Sequence, residues 1–113
     1  MTPGEIYLAN FPFGGSAGMK LRPVLLLTGP IGSVPELLVA YISSVPPSQM
    51  LPTDLLLDPA KPEHVATRLK TASVLRLHKL ATIHHRSVMR HLGVMSSGAW
   101  MQVQNKLRQM LGV

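Results

Sequence analysis

The chain has 113 residues, 46% of them hydrophobic, with a net charge of +6 and no cysteine. That length suits one compact domain, residues 1–113, and is short for two. Disulfides, thiol nucleophiles and cysteine zinc sites are excluded; no apolar run nears the roughly 20 residues of a spanning helix, nothing at the N-terminus reads as a signal peptide, and the expected location is cytoplasmic.

The first predicted strand runs over residues 4–10, alternating around Ile6, Tyr7 and Leu8, and Phe11-Pro12-Phe13 closes it. A glycine-rich loop, Gly14-Gly15-Ser16-Ala17-Gly18, leads into a second strand over 22–28. Pro23 suits the first residue of that strand, and it biases Arg22 toward an extended backbone. Val24 to Leu27 are an unbroken apolar run, the pattern of a buried strand. Turn residues at 29–33 precede a third strand over 36–43, and a proline pair at 46–47 precedes a fourth over 53–58. Pro59, Lys61 and Pro62 read as a charged loop.

A fifth strand is predicted over 73–77, extending with a bend to Ile83; then come one helical turn at 85–88 and a last strand over 88–92. From Ser97 the period changes. Trp100, Val103, Leu107, Met110 and Leu111 recur at helical spacing, Ser96 or Ser97 suits the N-cap, and Gly112 the stop. The sum is a mainly β chain with helical additions (α+β): a small barrel or rolled sheet carrying a C-terminal helix.

Charge is divided unevenly. Residues 1–63 hold all five acids against three cations, whereas residues 64–113 hold eight cations, all five histidines and no acid. A cationic half of this kind suits a polyanionic partner, nucleic acid or an acidic protein.

Tested for chemistry, most patterns fail. His84 and His85 are adjacent, so on a strand they face opposite ways, and no acid follows residue 63 to complete a metal site; no metal or cofactor is expected. The glycine-rich loop does not match a phosphate-binding P-loop, and no G-x-S-x-G elbow occurs. Asp54 and Asp58 fall on one strand face but read better as markers of the strand ends than as a carboxylate pair. Aromatic residues are too few for a base-stacking platform. What remains is Arg22 with Ser43. If the second and third strands pair antiparallel, the two become neighbours on one sheet edge, and a guanidinium beside a hydroxyl is a phosphate site. Read alone, Ser43 fits better as a strand-end residue bonding its own backbone.

The order of pieces resembles the MazF/PemK-type toxins of toxin–antitoxin pairs. It runs from Gly4-Glu5-Ile6-Tyr7 and Asn10-Phe11-Pro12-Phe13 through Lys20-Leu21-Arg22-Pro23-Val24 and Ala40-Tyr41-Ile42-Ser43-Ser44. Thr53 to Asp58 and Ser73 to Leu80 follow. The resemblance implies an SH3-like barrel with helical additions, a homodimer, and a metal-independent endoribonuclease acting on single-stranded RNA, mRNA included, to regulate growth. It also implies a cognate antitoxin with an acidic tail, and DNA binding by the toxin–antitoxin complex. It puts the catalytic arginine on Arg22 and the hydroxyl on Ser43, with the loop from Gly14 to Met19 bordering the RNA groove. Lys20, Ser44, Arg76, His78 and Lys79 are candidate RNA contacts, and His78 is also a candidate general base by its ordinary pKa. The alternative is a non-catalytic SH3-like module that binds RNA or an acidic peptide without cleaving.

Overall fold

A computed structural model describes residues 1–12 and 20–113; the glycine-rich loop and Phe13 lie outside the described residues. Six strands form one antiparallel sheet: β1 (Glu5–Phe11), β2 (Lys20–Leu26), β3 (Glu36–Ser43), β4 (Asp54–Leu57), β5 (Ser73–His84) and β6 (Val88–Val94). Their order across the sheet is β4-β5-β3-β2-β1-β6. One helix, α1 (Ser97–Leu111), follows the last strand. Two short 3-10 helices, Pro62–Thr67 and His85–Ser87, sit before β5 and between β5 and β6. No helix among the described residues is long and apolar enough to cross a membrane.

The mainly β expectation with a C-terminal helix holds. The expected barrel does not close: β4 and β6 are the two ends of the sheet, and no pairing joins them among the described residues. Both faces of the sheet are nonetheless apolar, because β2 and β3 carry unbroken apolar runs, Val24 to Leu26 and Leu37 to Ile42. Leu25, Ala40 and Ile42 belong to one buried cluster, which α1 covers with Ala99 and Val103, Trp100 and Leu107 packing beside them. Val24, Leu26 and Val39 belong to a second cluster with Phe11, Leu37 and Ile83. Alternate residues of one strand thus enter two cores, as period-two geometry requires.

Two features place the site. The first is Pro23, which lies inside β2 and not at its start. The β2–β3 ladder runs Leu26↔Val39, Leu25↔Ala40, Val24↔Tyr41 and stops. Leu27 N–H donates to Leu38 O at 2.9 Å, so the odd residues of β2 are those that bond toward β3. The next step needs an N–H from residue 23, and proline has none. β2 continues to Lys20 with β1 alone as its partner, as Leu8↔Pro23 and Ala9↔Arg22. A proline is tolerated inside a strand in this one-sided setting.

The second feature is Gly93 on β6. A Cβ there would come within 2.3 Å of the carbonyl oxygens of Ala66 and Thr67, so only glycine allows the 3-10 helix Pro62–Thr67 to lie against β6. Arg68 then leaves that helix in the left-handed region at φ 56°, and the chain turns back toward β5 through Leu69 to Ser73. This helix replaces the charged loop expected at Pro59, Lys61 and Pro62, with Pro62 as its first residue.

Candidate anion cleft

Where β2 and β3 part, a cleft of about 330 Å³ opens. Arg22 and Pro23 line it from β2, Tyr41 to Ser43 from β3 with Ser44 just beyond, Leu69 to Thr71 and Ser73 from the return segment, and Arg90 from β6. Its size falls at the lower end of small-ligand sites, roughly 300–1,000 Å³.

Arg22 and Ser43 both border the cleft. Counted on past Pro23, the register brings Arg22 level with Ser43, on two walls of the cleft that opens where the strands part. β2 and β3 do pair antiparallel, and both residues line one cleft, at the ends of central strands and not on an outer one. Arg22 is part-buried, and its guanidinium has no hydrogen bond or ion pair among the described residues. Ser43 is nearly buried and its hydroxyl is occupied: it donates to Val45 O and accepts from Val45 N–H, both at 3.1 Å. The local-backbone reading of this serine is thus realised, and one lone pair of its oxygen remains.

The other predicted contact residues divide. Ser44 lines the cleft and is exposed. Lys20 is exposed at the start of β2, two residues from Arg22. Arg76, His78 and Lys79 do not line it. Arg76 is held by Asp54, with Nε–Oδ1 at 2.9 Å and a second guanidinium nitrogen 3.4 Å from Oδ2. Burial pushes the Asp54 carboxyl up, but the Arg76 bonds, the Leu51 amide and nearby His78 outweigh it and hold the group below the usual aspartate range. His78 Nδ1 sits 2.9 Å from Thr53 Oγ1 and 4.0 Å from Asp54 Oδ1. Lys79 lies over the Tyr41 ring, 5.9 Å from its centre. Asp58 accepts from Ala60 N–H just after β4, as a strand-end residue would. His84 and His85 stack at 4.5 Å because β5 ends between them and a 3-10 turn begins.

Sequence reasoning missed Lys70 and Arg90. Both are exposed and line the cleft, and neither has a partner among the described residues. With Arg22 they put three cations around one cavity, and none of the five acids lines it. Such a cavity attracts an anion with oxygens to spare. Among the described residues no group of three histidines or acids could hold a metal ion.

Three solved structures share the fold over almost their whole length. The Mycobacterium tuberculosis toxin MazF-mt6 superposes with a TM-score of 0.72 at 20% identity, covering 96% of this chain and 97% of that one. The MazE-MazF structure from Deinococcus radiodurans gives 0.70 at 19%, covering 100% and 97%. An endoribonuclease from a mycobacterial species, solved with its cognate antitoxin, gives 0.69 at 13%, covering 100% and 96%. No curated protein matches the chain. The family model of PemK-like, MazF-like toxins of type II toxin–antitoxin systems matches residues 2–111, and the chain belongs to that family.

Proposed function

We propose that the protein is an endoribonuclease that cuts single-stranded RNA without a metal ion, and that it is the toxin of a pair held in check by a cognate antitoxin. The observation that carries this reading is the Arg22 guanidinium, without a partner among the described residues, lining with Ser43 a cleft that none of the five acids lines. RNA supplies its own nucleophile. The 2′-hydroxyl oxygen bonds to the adjacent phosphorus, the bond to the 5′-oxygen breaks, and the products are a 2′,3′-cyclic phosphate and a 5′-hydroxyl. In-line positioning and a cation on the developing charge supply most of what such a step needs.

Arg22 stabilises the five-coordinate phosphorus through its fork of N–H donors. Ser43 orients a phosphate oxygen, and to donate to it the hydroxyl must release Val45 O. Ser44 and Lys20 contact the strand on either side. Arg76, His78 and Lys79 act at a distance from the cleft if they touch RNA at all, and His78 is not in position to serve as base within it. The reading includes a single functional unit over residues 1–113, a homodimer in the cytoplasm, and an antitoxin whose acidic tail covers the cleft. One of the similar structures was solved in complex with its cognate antitoxin.

The test is incubation of the purified protein with single-stranded RNA in EDTA, beside Arg22→Ala, with cut sites mapped by primer extension. Cleavage by the wild type, cyclic phosphate ends and a loss of roughly 100-fold or more in Arg22→Ala are expected. Intact RNA across varied sequences, bound in a salt-sensitive way, would replace this reading with the non-catalytic binding module.

A further inference from the structure

We propose that Lys70 and Arg90 form a second anion position in the cleft, which takes the RNA phosphate next to the one held by Arg22 and Ser43. The proposal rests on the ribonuclease reading for the identity of the anion, and on the fold for its place.

Three cations from three separate segments border one cavity: Arg22 from β2, Lys70 from the return after the 3-10 helix, and Arg90 from β6. One phosphate does not need three cations. A chain of phosphodiesters does, because neutralising one leaves the next exposed to the same field. The register separates the cations into two places. Leu8 on β1 pairs with Pro23 on one side and Arg90 on the other, so Arg22 and Arg90 stand on strands two spacings apart, roughly 10 Å between backbones. Arg22 and Ser43 line the cleft where β2 and β3 part, and Arg90 stands beyond β1 on the strand against which residues 66–67 pack.

The second position is built by the fold. Gly93, three residues after Arg90, admits the Ala66 and Thr67 carbonyls against β6, and the chain from there delivers Leu69 and Lys70 to the cleft wall. Leu69 is buried and anchors the segment in the main core, which leaves Lys70 exposed beside it. Arg76 shows what a committed arginine looks like in this chain, with both ends of its fork on Asp54. Lys70 and Arg90 have no such partner among the described residues.

The experiment measures binding of a mixed-sequence 2′-O-methyl RNA octamer, which cannot be cut, by fluorescence anisotropy across a NaCl series. Each lost phosphate contact makes the plot of log affinity against log salt shallower by about 0.7 on a single strand. Lys70→Ala and Arg90→Ala should each show that change, with a loss of roughly threefold to tenfold in affinity near 0.1 M salt. Arg90→Lys should keep the slope, and Arg108→Ala on the exposed face of α1 should leave slope and affinity unchanged.

On cleavable RNA, Arg90→Ala should raise KM with kcat nearly kept, whereas Arg22→Ala lowers kcat. Unchanged slopes in Lys70→Ala and Arg90→Ala, or no binding by the wild type, would overturn the second position. Failure of the wild type to cut, with the slopes changing as expected, would overturn the nuclease reading and leave the second position standing.

Discussion

Arg22 and Arg76 carry the same side chain in opposite circumstances. Arg76 is a structural residue: its partner Asp54 has a fully buried side chain that also accepts from Leu51 N–H at 2.8 Å. Removing one member of a buried pair strands the other. Asp54→Asn should therefore cost about 3 kcal/mol, the low end of the range because Arg76 keeps some contact with water; urea unfolding at neutral pH measures it. The pair also sets an acid limit. Asp54 is held below its ordinary range when folded, so its contribution is complete above the unfolded value, about 3.9, and is lost as pH falls through the lowered folded one. Stability of the wild type should fall steeply below about pH 4, and Asp54→Asn should show a shallower acid limb in the same titration. Arg22→Ala, by contrast, should leave the unfolding free energy in urea within about 0.5 kcal/mol of wild type, since a half-buried guanidinium with no partner among the described residues holds nothing together.

At the scale of elements, the site exists because two residues prevent regular structure from continuing. Pro23 withholds the N–H that would extend β2 along β3, and Gly93 withholds the side chain that would push a 3-10 helix off β6. Gly93→Ala should destabilise by roughly 1–3 kcal/mol, since its Cβ meets backbone oxygens and not a side chain that could swing away. It should also weaken RNA binding with the signature of Lys70→Ala, because displacing the helix displaces the segment that carries Lys70. A lowered melting temperature without that change in salt slope would separate the two effects.

The sequence displayed one of these devices and concealed the other. Strand positions were legible because apolar runs and proline turns are local signals; β3 was predicted over 36–43 and is Glu36–Ser43. The helix was legible from Ser96, whose hydroxyl accepts from Ala99 N–H at 3.2 Å as an N-cap, to Gly112, though Leu111 is left exposed at its end. That Arg22 and Ser43 share one cleft follows from one antiparallel turn. Lys70 and Arg90 were not legible. They are ordinary exposed cations in sequence, and only the approach of residues 66–67 to residue 93, through no local pattern, brings them to one cleft. Pro-Glu-His-Val-Ala-Thr is six residues, half of them polar, too short for periodicity to identify as helical.

For the whole molecule, the uneven charge decides how a polyanion arrives. The acids of the first half are largely engaged: Asp54 with Arg76, Asp58 with the Ala60 amide, and Glu5 with Thr2, the N-terminal amine and His91. Arg76 is neutralised by its partner, but Arg68, Lys70, Arg86 and Arg90 have no hydrogen-bond or ion-pair partner for their charged groups among the described residues. The field that RNA meets is thus more one-sided than a net charge of +6 suggests. An antitoxin tail that is acidic and disordered would meet the same field, and it would compete with RNA for the cleft rather than act from another face. A synthetic acidic peptide of twelve glutamates should then displace the 2′-O-methyl RNA octamer in anisotropy, and its apparent affinity should fall with NaCl alongside that of the RNA. Arg22→Ala and Arg90→Ala should weaken peptide and RNA together. If the peptide binds while the RNA stays bound, its site lies elsewhere, and the cleft is left to the nucleic acid alone.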